Sequence, residues 1–146
     1  MVRLFTIGYT KKSAEEFFEI LKDNKIEKLI DIRESNTNVY AGYTMKQNLP
    51  FFLSNILGVE YIEMKILAPT KEIRKIYHED KLNNWHLYED EYIKLLDRRD
   101  IKSVIDKDIL DSGVLLCSEP TTEKCHRRLA AEYLQNTYND IEVFHL

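Results

Sequence analysis

Both cysteines of the chain, one of its four histidines and an arginine pair fall within one stretch, LLCSEPTTEKCHRRL at 115–129. These residue types can do several kinds of chemistry. Cys117 or Cys125 could act as a nucleophile with His126 as its base. Glu119 or Asp31 could move protons in acid–base catalysis. Arg127 and Arg33 could grip a phosphate or carboxylate through two N–H groups at once. A thiol-plus-imidazole set could also hold a metal, but the C-x7-C-H spacing departs from the tight C-x2–4-C of common zinc sites. Successive helical residues also diverge by about 100°. No metal is therefore expected. A cysteine-phosphatase loop would place its arginine much nearer Cys117. The chain has no C-x-x-C redox pair, Walker loop or GxGxxG.

Each residue also has a structural reading. Cys117 ends an apolar segment, where a buried thiol serves as a small hydrophobe. Cys125 at a helix start tends toward a reactive thiolate, or it can pack inertly. His126 can be a core histidine bonded to a carbonyl, and Asp31 with Arg33 an ordinary pair at a sheet edge. His78 and His86 read as surface residues. The Trp85, Tyr88, Tyr92 stripe reads as core.

The elements that must position these residues follow from periodicity. Arg3–Ile7 alternates like a strand and runs into Gly8, Tyr9 and Thr10. Ser13 with Glu16 forms a capping box, ahead of Ala14, Phe17, Phe18 and Leu21 at helical spacing. Lys28–Ile32 is the next strand and delivers Asp31 and Arg33. The polar stretch Glu34–Lys46 is long for a loop in a compact domain, and such loops are often functional. Leu49, Phe52, Leu53 and Ile56 mark a helix with Pro50 in its first turn and Gly58 at its stop. Val59–Glu63 is a third strand. Thr70 caps a helix carrying Ile73, Ile76 and Tyr77. Asn84 caps another with Trp85, Tyr88, Tyr92 and Leu95 on one stripe, and Ile101–Ile109 is weakly helical. Gly113–Cys117 is the fourth strand, Thr122–Gln135 a helix, and Glu142–His145 the last strand. Strands alternating with helices predict a single α/β domain over 1–146. It has three layers and a mostly parallel sheet of four to five strands flanked by helices.

Ligands of such sheets bind outside the carboxyl ends of the strands. That edge receives Gly8, Tyr9 and Thr10 from the first strand and Asp31 and Arg33 from the second. The fourth supplies Cys117 and Glu119, the last His145, and the following helix Cys125, His126 and Arg127. A helix N-terminus suits an anion. His126, Leu129, Ala130 and Tyr133 share one stripe, so His126 should lean toward Cys117. Arg128 points away from that stripe.

Composition bounds the rest. The chain has 146 residues, 44% hydrophobic and 32% charged, as a soluble globular domain does. No apolar run approaches a membrane span, and the first residues are too quickly polar for a signal peptide. A cytoplasmic protein is expected, with its two cysteines as reduced thiols. The net charge of −4 gives no overall attraction to nucleic acid.

The residues so assembled carry a resemblance. TIGYT at 6–10, DIR at 31–33, LLCSE followed by CHR at 115–127 and the terminal Val143-Phe144-His145-Leu146 resemble the "domain of unknown function 488" family. AGYT at 41–44, LAPT at 67–70 and Trp85, Tyr88, Tyr92 are similar to one branch of it. The resemblance places motif residues at Thr6, Gly8, Asp31, Arg33, Cys117, Glu119, Cys125, His126 and Arg127, and implies a shared site there. It implies no reaction. The chain departs from the commoner pattern in two loops. Asn36, Thr37 and Asn38 stand where Pro-x-Ser is usual, and LAPT replaces a frequent Leu-Gly-Gly.

Three functions are open at this level. The favoured one is a pocket at the sheet edge for a small phosphorylated or nucleotide-like ligand, in an enzyme or a degenerate enzyme. The others are a cysteine-dependent enzyme or redox sensor, and a non-catalytic module for nucleic acid or a protein. Cofactor and oligomeric state are not legible.

Overall fold

The computed structural model describes residues 1–119 and 122–146, without the side chains of Tyr40 and Ala41. Five strands form one all-parallel sheet: β1 (Val2–Gly8), β2 (Lys28–Asp31), β3 (Glu60–Glu63), β4 (Gly113–Cys117) and β5 (Ile141–His145), in the order β3-β2-β4-β1-β5. β4 enters between β1 and β2, pairing Gly113 with both Leu4 and Lys28.

Side chains of a strand alternate between its faces, and the core divides accordingly. Leu4, Ile30 and Leu115 join Trp85, Tyr92 and Leu134 in one apolar layer. Phe5, Ile7, Leu29, Val114 and Leu116 join Phe17, Leu21 and Leu53 in the other. The second layer is covered by α1 (Ala14–Asp23) and α2 (Leu49–Phe52), which widens into a π-helical turn over Leu53–Leu57. The first is covered by α3 (Lys71–Glu79), α4 (Trp85–Arg98), the short α5 (Ile101–Val104) and α6 (Lys107–Leu110), and α7 (His126–Tyr138). The sheet thus lies between two helical layers.

Local signals account for several element ends. The Ser13–Glu16 capping box is formed at the start of α1, with the Glu16 N–H donating to Ser13 Oγ at 3.1 Å. Ser13→Ala should therefore cost about 0.5–2 kcal/mol. The check is a lowered urea midpoint with an unchanged slope. Gly58 stops the second helix at φ 67°, in the left-handed region where glycine carries no Cβ penalty. Thr70 caps α3 by accepting from the Ile73 N–H.

Other ends differ from the sequence reading. Asn84 precedes α4 but gives no side-chain cap; its amide donates to the Ile76 carbonyl instead. The weak segment 101–109 is two single-turn helices separated by the extended Ile105. The last helix begins at His126 rather than Thr122. Cys125 is extended at φ −140°, ψ 137°, and serves as the N-cap.

Candidate functional site

Adjacent strands β1 and β4 send the chain in opposite directions, β1 through α1 toward β2 and β4 through α7 toward β5. Such a reversal is where open α/β sheets usually leave a crevice. Here the chain itself closes it. The Tyr9 and Thr10 N–H groups donate to the Cys117 and Ser118 carbonyls at 3.3 and 3.0 Å. The Glu119 backbone then lies directly on Gly8, where a Cβ would stand 1.6 Å from the Glu119 carbonyl oxygen.

The open space lies to the side, over β2 and β4, under α3 and α4. It is a cavity of about 180 Å³ lined from the strand ends by Arg33, Ser118 and Glu119 and from α7 by Cys125 and His126. Glu34, Ser35 and Pro69, Arg74, Tyr77 and His78 of α3, Trp85 and Tyr88 of α4, and Lys124 complete its wall. Glu119 is exposed at the mouth, and its charge reaches Tyr77, His78 and Arg127. Arg74 is ion-paired to Glu34. Trp85 and Tyr88 stack at 5.3 Å, with Tyr77 edge-on to Trp85.

Asp31 and Arg33 meet on the opposite face of β2. Arg33 Nε and Nη2 donate to the two Asp31 carboxylate oxygens at 2.9 and 2.8 Å. The same guanidinium donates to the Thr44 carbonyl and hydroxyl and stacks over the Tyr9 ring. Asp31 also accepts from the Tyr61 hydroxyl at 2.6 Å, the Arg33 N–H and the Asn36 amide. Burial alone would raise the Asp31 pKa; the Arg33 bonds and charge and the Tyr61 bond outweigh it and hold the carboxyl below its ordinary value. The pair thus fastens the long loop after β2 to the sheet, and only Arg33 touches the cavity.

On the α7 face, period two places Thr6, Cys117 and His145 with Leu4, Leu115 and Val143. Thr6 Oγ1 and His145 Nδ1 are 2.6 Å apart. Cys117 and Cys125, expected as separate reduced thiols, are instead paired as a disulfide with Cα atoms 7.8 Å apart. The strand end and the helix cap face one another, which linear spacing does not reveal. A sulfur from each and one His126 ring nitrogen all lie within 4.8 Å of one another. The divergence argued for neighbouring helical residues does not apply, because Cys125 is extended and only His126 is helical.

His126 Nε2 is 2.9 Å from the Ile32 carbonyl, and its ring meets Tyr92 edge-on. Burial pushes its pKa down to about 4, so the imidazole is neutral near pH 7. Arg127 is 1% exposed and faces Gly8 rather than the cavity. Burial lowers its pKa to about 10 against the pull of Glu119. Its charge also lowers the pKa values of Lys12 and His145, after the burial of each. Arg128 donates to the Thr122 and Glu123 carbonyls and bridges to Glu132.

Of the residues expected at the edge, the cavity gathers Arg33, Glu119, Cys125 and His126. Thr6, Gly8, Tyr9, Asp31, Cys117, Arg127 and His145 lie beneath or beside it. Sequence reading missed Arg74, His78 and Lys124. Arg74, Tyr77 and His78 stand at i, i+3, i+4 on α3, a polar stripe beside the apolar one that could have marked a lined groove. Among the described residues, no helix is long and apolar enough to cross a membrane.

A family model described as "Domain of unknown function DUF488" matches residues 13–134 of the chain. No curated protein and no solved structure matches it.

Proposed function

The chain belongs to that family, and from this premise we propose that the cavity between the strand ends and α3, α4 and α7 binds a small phosphorylated ligand. The observation that carries the reading is the joining of Arg74, Lys124 and the first turn of α7 around one aromatic-walled space. Guanidinium, ammonium and helix N–H groups are the donors that phosphates select. The volume of about 180 Å³ is below the roughly 300 Å³ of pockets that enclose a drug-sized molecule. It suits a phosphoryl group with part of a sugar, leaving any base outside. Glu119 at the mouth and the neutral His126 at the wall are the proton-handling groups if the ligand is turned over.

Calorimetric titration with inorganic phosphate, sugar phosphates and nucleotides tests this. At least one phosphorylated compound should bind, and Lys124→Ala should weaken it about 10- to 100-fold, as the loss of a charged hydrogen bond of about 1.5–3 kcal/mol implies. No binding by any of these compounds, or equal affinity in Lys124→Ala and Arg74→Lys, would sink the reading.

A further inference from the structure

We propose that Cys117, Cys125 and His126, once the cysteine pair is reduced, form a site for one thiophilic divalent cation, zinc by ligand chemistry. The proposal stands whether or not the cavity takes a phosphorylated ligand.

Donor type comes first. Two thiolates and an imidazole make a Cys2His set, which catalytic zinc sites use with a fourth position left open. Soft sulfur donors select zinc over magnesium or calcium. Reach comes second. Zinc at about 2.3 Å from sulfur and 2.0–2.1 Å from nitrogen, in tetrahedral geometry, spaces its donors roughly 3.5–3.8 Å apart. The donor atoms here lie within 4.8 Å of one another. The Cα separation of 7.8 Å is wider than the 4.4–6.8 Å span of ordinary disulfides, and an ion between the two sulfurs bridges it without drawing strand end and helix cap together.

The surroundings supply the third argument. A carbonyl can only accept, so His126 Nε2 must carry the proton in its 2.9 Å bond to Ile32 O. Nδ1 is then the nitrogen with an available lone pair. An imidazole fixed through its far nitrogen to a backbone carbonyl is the usual support of a metal-bound histidine. The Arg127 N–H donates to Cys125 Sγ at 3.5 Å, a contact that favours thiolate. Cys117 and Cys125 are 1% and 2% exposed, so water competes little for the ion. Cys125 and His126 border the cavity, which gives the ion an entry path and its open position a direction.

The chemistry balances. A phosphine reductant donates two electrons to the disulfide and leaves as its oxide, water supplying the oxide oxygen and the two thiol protons. Zinc then displaces those two protons as the thiolates bind.

The test uses the full chain reduced with a phosphine, both thiols first verified by titration, and then Co²⁺ as a spectroscopic stand-in for zinc. One cobalt per chain should produce a thiolate-to-metal charge-transfer band that zinc displaces. Zinc should slow alkylation of both cysteines at least tenfold. His126→Gln should weaken cobalt binding at least tenfold while keeping a charge-transfer band, and Cys125→Ser should weaken the band. The alkylation arm needs no variant, so a misfolded mutant cannot decide the matter. Absence of a charge-transfer band on the fully reduced protein, unchanged alkylation in zinc, or unchanged affinity in a folded His126→Gln would overturn the assignment.

Discussion

Asp31→Asn should lower the unfolding free energy by about 3–5 kcal/mol, the cost of removing one partner from a buried ion pair. The shape is kept and the charge removed, so the Arg33 guanidinium, 4% exposed, is left without its counter-ion. Replacing both residues together, Asp31→Leu with Arg33→Met, should cost less than Asp31→Asn alone, because no charge then remains buried. Urea unfolding of the three proteins measures both differences. An Asp31→Asn midpoint within error of wild type would remove the pair from its structural role.

The same carboxylate sets an acid limb. Its folded pKa lies below the ordinary 3.8, so the unfolded chain takes up the proton first as pH falls. The stability it contributes is complete above the unfolded value and is lost as pH drops through the folded one. Wild-type urea midpoints should therefore fall more steeply below about pH 4 than those of Asp31→Asn. Parallel slopes would assign the acid loss to other groups.

Gly8→Ala is the second large effect. A Cβ there would stand 1.6 Å from the Glu119 carbonyl oxygen and 2.8 Å from Arg127 Nη1. The oxygen belongs to backbone, and the flanking Tyr9 and Thr10 N–H groups are bound to the neighbouring loop. Neither side can yield cheaply, so the loss should reach or exceed the upper end of the roughly 1–3 kcal/mol typical of overpacking. Gly58→Ala is the control. Nothing lies within 4 Å of its Cβ position, but φ is +67°, so it should cost only the left-handed penalty of about 1–2 kcal/mol. Thermal or urea unfolding of the two variants ranks them. A Gly8→Ala protein more stable than Gly58→Ala would contradict the close approach.

Much of the fold was legible because it rests on local rules. Alternation marked the first strand and short apolar runs marked β2 and β4, and the Ser13 box, Thr70 and Gly58 fixed ends within a few residues. Asn84 misled because its amide found the Ile76 carbonyl, a partner outside its own helix. The strand-end rule brought these residues to one edge, but it does not divide them between faces. Asp31 and Cys117 leave neighbouring strands on opposite sides of the sheet, so one imagined pocket separated into a buried tether and a cavity wall. Arg74 and Lys124 could not be found from strand ends, since they approach from α3 and from the turn before α7. Helical phase turned His126 toward Cys117, but the meeting of both sulfurs with one ring nitrogen was not legible. It depends on one extended residue, Cys125, where helical phase had been assumed.

The position of β4 has a consequence in time. β1 and β2 are separated in the sheet by a strand that follows them by more than eighty residues, with β4 beginning at Gly113 and β2 ending at Asp31. Until Gly113–Cys117 is available, the first two strands have no shared edge, and only β2 and β3 can pair. Long-range parallel pairing must meet its loop-closure entropy before its contacts reward it. β4 is thus the strand that joins the β2–β3 pair to β1. The segment that carries Cys117 joins the two parts of the sheet and leads directly into Ser118 and Glu119 of the cavity wall.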